Sequence, residues 1–167
     1  KQGKGIGYER WAKKHNLKAM SQTLILLQEK GLLNEDALDR RIEELQSQYD
    51  HAKEVVLDLD ARMKSTRKLL EQVAAYNNTK NIAQQLKTAK RPELTAHRAA
   101  AAYFKANSIT KLPSPNKLEA EYAQLASEKA KFYEQYKEAK EELLKLKTAK
   151  QNVASFFREE EQTQQER

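Results

Sequence analysis

Side chains able to do chemistry are few and scattered along this 167-residue chain. Its three histidines, His15, His51 and His97, stand alone: there is no His-x-His, no HExxH and no carboxylate at a spacing that would complete a metal shell. Cysteine is absent, which excludes disulfides, thiolate metal sites and a Cys nucleophile, and fits a reducing cytoplasm. The glycines of the K-G-I-G-Y string lack the preceding strand and the longer pattern that a phosphate loop needs. The serines have no local His and Asp companions and no nucleophile elbow. Catalysis by this fragment is therefore not expected, and the sequence asks for no metal and no cofactor.

Charge is the remaining signal. Between Asn78 and Lys117 lie eight of the 31 basic residues and one of the 24 acidic ones, Glu93, so the rest of the chain holds 23 of each sign. The whole net charge of +7 thus belongs to one segment. Its residues Lys80, Lys87, Lys90, Arg91, Arg98, Lys105 and Lys111 are candidate nucleic-acid contacts, acting through counterion release without regard to base sequence. Tyr76, Tyr103 and Phe104 are aromatic groups able to stack on bases where exposed. A protein partner with an acidic surface would be drawn to the same charge.

These residues need elements to hold them, and the apolar pattern supplies helices. Alternate steps of four and three from Leu38 reach Ile42, Leu45, Tyr49, Ala52, Val56, Leu59, Met63, Thr66, Leu70, Val73 and Asn77. The same walk from Leu118 reaches Tyr122, Leu125, Lys129, Phe132, Tyr136, Ala139, Leu143, Leu146, Lys150, Val153 and Phe157. Two heptad seams of equal length predict an antiparallel coiled-coil hairpin of about 60 Å, because each narrow stripe needs a partner and the chain provides one. The expected register pairs Leu38 with Phe157, Ile42 with Val153, Thr66 with Lys129 and Val73 with Tyr122. Off-seam Val55, Leu69, Tyr133 and Phe156 widen the stripe where other helices pack.

Asn34, followed by Glu35 and Asp36, predicts an N-cap. Asn16 and the pair Asn77 and Asn78 read as breaks. The expected organisation is a Gly-rich linker over 1–7, two short helices over 8–33, the first long helix over 34–77, a basic helical head over 78–117, the second long helix over 118–162 and a disordered tail over 163–167. Leu17, Met20, Leu24 and Leu27 mark the inner face of the short helices, near Phe156, and Gly31 is their C-terminal stop. Arg10, Lys13, Lys14 and Lys18 make this pair basic and like a helix-turn-helix in outline, although a structural cap is the commoner use of two packed helices. Pro92 fits the first position of a helix running to Asn107, whose Ala99 and Ala102 bound a stretch suited to close packing. Pro113 and Pro115 predict a non-helical return over 108–116. The fold class is therefore all-α: a long hairpin with a small basic head at one end and a short helical pair at the base.

The string K-G-I-G-Y-E-R-W-A-K-K-H-N-L-K over residues 4–18, with I-T-K-L-P over 109–113, L-E-A-E-Y-A-Q-L over 118–125 and the helix through Val153, resembles the C-terminal region of relaxases. These are the mobilisation nucleases of conjugative transposons in Gram-positive bacteria, and the likeness covers nearly the whole chain, most specifically in G-Y-E-R-W-A-K. In that family an upstream nuclease domain cuts one strand through a tyrosine and a metal held by clustered histidines. None of that machinery maps onto this chain, where the histidines are single and nothing marks Tyr8 as a nucleophile. The resemblance implies an accessory domain behind a nuclease, contacting single- or double-stranded DNA, relaxosome accessory proteins or the coupling ATPase. A chain that opens on Lys1 with neither Met nor a signal peptide fits that picture of a piece of a larger protein. No apolar run approaches the roughly 18 to 20 residues needed to cross a bilayer, so the expected location is the cytoplasm. The alternative is a docking or dimerising coiled coil with no nucleic-acid role, using Val55 and Leu69; a monomeric hairpin and a dimer are both compatible with the seams.

Overall fold

Capping chemistry decides where the helices start and stop. The computed structural model describes residues 6–85 and 92–165 as four helices, α1 (Ile6–Glu29), α2 (Glu35–Gln85), α3 (Pro92–Ala106) and α4 (Pro115–Gln165), and no strand occurs among the described residues. The Asn34 carboxamide oxygen accepts the Ala37 N–H at 3.1 Å, with Glu35 and Asp36 in the first turn, as its sequence predicts. Ser114 does the same for Lys117 at 3.3 Å, and Pro115, fixed near helical φ, follows as the first residue of α4. The expected return over 108–116 is thus shorter, because Pro115 opens a helix instead of prolonging a loop.

Two helices end in matching motifs. After α1, Gly31 at φ 67° donates to the Gln28 carbonyl at 3.0 Å, and Leu32 donates to the Leu27 carbonyl at 2.7 Å. After α3, Ser108 at φ 56° donates to Lys105 and Ile109 donates to Phe104 at 2.9 Å. Both are Schellman caps, each completed by an apolar residue folded back over the last turn, Leu32 beside Leu27 and Ile109 beside Phe104.

Three predicted boundaries do not occur. Helix α1 runs through Asn16, whose side-chain amide donates to both carboxylate oxygens of Glu159, at 3.0 and 2.9 Å, and so is used across helices and not against its own backbone. Helix α2 runs through Asn77 and Asn78, which are exposed, because Ile82 and Ala83 in its last turns are partly covered and worth keeping helical. Helix α4 continues to Gln165, beyond the start of the expected tail.

By its internal contacts the chain forms two units, Lys1–His51 with Gln135–Arg167, and Ala52–Glu134. In the first, Leu27, Leu38, Leu45, Leu143, Leu146 and Ala149 form a buried cluster where α1 closes over the antiparallel α2 and α4. The inner face of α1 differs from the expected one. Met20, Thr23 and Leu27 are buried, while Leu17 is 64% exposed and Leu24 43% exposed. Polar rungs explain the choice: Asn152 donates to the Thr23 hydroxyl at 3.0 Å and Asn16 holds Glu159, so the stripe that buries is the one whose polar members find partners. Asn16, Met20 and Phe156 share one cleft, so α1 does meet α4 near Phe156.

The pairing of α2 with α4 is one heptad removed from the expected register. Lys150 reaches Asp39, Lys147 reaches Gln46 and the rings of Tyr49 and Tyr136 stack at 5.1 Å, whereas Phe157, the expected partner of Leu38, is 56% exposed. In the second unit Lys129 reaches Asp60 and not Thr66, whose hydroxyl meets Glu121 at 3.4 Å, and Arg67 lies over the Tyr122 ring. A slip of seven residues leaves the apolar pattern almost unchanged, so ion pairs and aromatic contacts decide between registers.

Glu142 pairs with two bases in the first unit, Lys30 at 3.0 Å and Arg41 at 3.4 Å. Burial pushes its carboxyl up, but hydrogen bonds and charge from Lys30 and Arg41 outweigh that and hold it below its ordinary value. A depressed folded-state pKa contributes stability that is present above the unfolded carboxylate pKa and lost as the pH falls through the folded one. Glu142→Gln should therefore cost about 1 kcal/mol near neutral pH, a cost that vanishes in acid, read by urea unfolding at both pH values. Gly31→Ala should cost about 1 kcal/mol through the left-handed φ alone, since a Cβ there meets nothing within 4 Å; an unchanged unfolding midpoint would contradict the cap.

Candidate nucleic-acid interface

The second unit builds its core from Val73, Ala100, Phe104 and Leu118, with Leu69, Leu70 and Tyr76 packed around it. Ala100 is fully buried, and its small side chain lets α3 lie close along the end of α2. Phe104 is core, 6% exposed, and is not available as a stacking platform. Tyr103 is half-buried, edge-on to Phe104 with the Lys68 ammonium 5.3 Å from its ring centre. Leu69, expected on a docking face, is spent on this core.

A polar cluster ties α3 to α2. The ring of His97 stacks on Tyr76 with centroids 4.4 Å apart, and Tyr76 meets Phe104 edge-on at 5.6 Å. The Thr79 hydroxyl lies 2.6 Å from the Ala75 carbonyl and 3.1 Å from His97 Nδ1. A hydroxyl has one proton, and a backbone carbonyl can only accept, so the Thr79 proton goes to Ala75 and Nδ1 must donate to the hydroxyl oxygen. His97 is thereby a positioning group that fixes the Tyr76 ring. Of the other histidines, His15 lies on α1 and His51 on α2, both exposed. Among the described residues no three His, Cys, Asp or Glu side chains gather into a metal-holding set.

Beside Tyr76 an open cleft of about 480 Å³ is lined by Tyr76, Ala101, Phe104 and Lys105 and by the return segment Ser108, Ile109, Thr110 and Leu112. Of the seven candidate residues one lines it and three lie near its lining residues in the chain. Lys105 lines it, and Lys111 sits between the lining residues Thr110 and Leu112. Lys80 is one helical turn beyond Tyr76 on α2, and Arg98 is two turns before Lys105 on the same face of α3. All four are exposed, and none makes an ion pair with a described residue. Elsewhere Lys30, Arg41, Lys129 and Lys150 each face a carboxylate, while Lys53, Lys64 and Lys131 of α2 and α4 are exposed and make no ion pair with a described residue. Lys87, Lys90 and Arg91 lie outside the described residues.

Sequence reasoning does not find the cleft. Its signals are present in Ser108, which the Schellman cap places at positive φ, and in the i, i+4 relation of Tyr76 and Lys80. Among the described residues no helix is long and apolar enough to cross a membrane. In comparison with known proteins, no family model, curated protein or solved structure matches the chain.

The neutral His97 ring should carry its proton on Nδ1, visible as the protonated nitrogen in long-range ¹⁵N–¹H spectra, and Thr79→Val should abolish that preference. A neutral ring protonated on Nε2 in the wild type would contradict the assigned hydrogen bond.

Proposed function

We propose that the basic end of the second unit binds single-stranded nucleic acid through its phosphates, and that the chain serves as a non-catalytic accessory segment of a conjugative relaxase. The observation that carries this reading is the contrast in charge use. The seam lysines Lys129 and Lys150 are matched by Asp60 and Asp39, while Lys80, Arg98, Lys105 and Lys111, in the segment that holds the whole net charge, are exposed on or near the cleft beside Tyr76 with no described acid paired to them. Positive charge that stabilises nothing within the fold is available to release counterions from a polyanion. The relaxase setting rests on the sequence resemblance, in which a strand cut upstream must be held while it is transferred.

A second reading is favoured by a different surface. On α1, Leu17, Leu24 and Ile25 are all exposed, Ile25 at 52%, and Leu144 of α4 in the same unit is 65% exposed. Such a patch suits a protein partner, and the two uses are compatible because they lie on different units.

Fluorescence anisotropy with a labelled single strand and a labelled duplex, each at low and near-physiological salt, tests the first reading. Binding should weaken steeply with salt. Replacing Lys80, Arg98, Lys105 and Lys111 together by Gln should weaken it further and flatten the log–log salt slope by about 0.7 for each phosphate no longer neutralised. Absence of binding to either probe at low salt would sink the nucleic-acid reading and leave the α1 face as the candidate surface.

A further inference from the structure

We infer that the cleft beside Tyr76 captures one unstacked nucleobase of a bound single strand, with Lys105 and Lys111 holding the phosphates that flank it. This rests on the reading of the surrounding bases as a nucleic-acid surface and adds to it a contact with the nucleobase itself. Phosphate attraction alone needs only exposed cations, and it would be served equally well by a flat or convex face. Here Lys105 lines a concavity of about 480 Å³, and Lys111 lies between two of its lining residues; the space is in the size range of small-ligand sites and roomy enough for a base with its sugar.

The lining suits a base better than it suits an aliphatic side chain or a free anion. Tyr76 gives aromatic surface, Ile109 and Leu112 extend it with hydrocarbon over the buried Phe104, and Ser108, Thr110 and Lys105 supply hydrogen-bonding groups for the edge of a ring. The walls are also fixed before any ligand arrives. Stacking on His97 holds the Tyr76 ring, the hydrogen bond from Nδ1 to Thr79 holds His97, and the left-handed turn at Ser108 with Ile109 folded onto Phe104 holds the return segment. A site whose groups are already ordered loses little entropy on binding. A duplex keeps its bases inside the stack, so the cleft would select single strands over duplex without reading sequence.

The test uses the whole chain and two short strands of equal length and charge, one carrying 2-aminopurine between ordinary bases and one wholly abasic. The base-bearing strand should bind roughly tenfold more tightly than the abasic strand, with the same salt slope and with a change in 2-aminopurine emission. Ala101 is exposed on α3 while lining the cleft, so Ala101→Leu should intrude on the space a base would occupy without disturbing the core, bring the two affinities together and remove the emission change. Tyr76→Leu should act in the same direction, and the Ala101 variant keeps the test decisive where loss of the ring loosens α3. Equal binding of both strands by the wild type overturns base capture and leaves the phosphate reading standing. A preference that survives in Ala101→Leu overturns the assignment to this cleft. No binding of either strand at low salt overturns both readings, and an acidic aromatic peptide that binds the wild type but not Ala101→Leu would then assign the cleft to a protein.

Discussion

The structure depends on a row of side chains spaced seven residues apart. On α2 this row is Leu38, Leu45, Ala52, Leu59, Thr66 and Val73, all buried, and on α4 it includes Leu118, Leu125, Ala139 and Leu146. In the second seam row Tyr49, Met63, Tyr122, Lys129, Tyr136 and Lys150 are only partly covered, while Leu143 is buried. Chemistry decides how the rim is used. Aliphatic groups have nothing to lose by leaving water, whereas a phenol or an ammonium group lays its hydrocarbon along the seam and keeps its polar tip at the rim. There Lys129 and Lys150 find Asp60 and Asp39, and Tyr49 finds Tyr136, whose hydrogen bond raises the Tyr49 hydroxyl above its ordinary pKa. With a core this narrow, α1 and α3 are needed to cover what two helices leave open, and each is set in place by polar contacts as well as hydrocarbon.

This arrangement separates two uses of charge within one chain. Along the seam, ionic groups specify which residue meets which, and the pairs are part of the fold. Around the cleft the bases make no such contribution. They tolerate one another because they sit in water on separate elements, two on α3, one on α2 and one on the return segment. The Tyr76 ring beside them is held by His97.

Much of this is legible in the sequence. The two seams, the Asn34 cap, the Gly31 stop, Pro92 at the head of α3 and the concentration of charge between the seams all follow from residue type and spacing. The departures share a cause. Asn16, Asn77 and Asn78 are poor helix formers taken singly, but Asn16 is held by Glu159, 143 residues away, and the other two sit on a helix whose end is covered by α3. Leu17 and Leu24 yield the inner face of α1 to Thr23 because Asn152 is there to satisfy a hydroxyl, a fact no local window contains. Phe104 reads as a candidate surface aromatic because nothing short of the packing of α3 on Val73 reveals which side of that helix is inside. The cleft is invisible for the same reason, since its lining comes from two helices and a loop.

The heptad ambiguity of the seam has a kinetic side. A chain that collapsed one repeat out of register would bury nearly the same hydrocarbon and form nearly the same backbone hydrogen bonds, and so would be a long-lived competitor, not a fleeting error. Sliding from that state to the native one is not a continuous motion, because intermediate offsets bring the exposed charged faces of both helices into the seam. The helices must part before they can pair again. The segment joining them limits how often this is needed: α3 is seated on the end of α2 by Ala100, Phe104 and His97, and the Ser108 turn and the Ser114 cap fix how the chain enters α4. A connection anchored at both ends in this way acts as a gauge, measuring off the residue of α2 at which α4 may begin to pair.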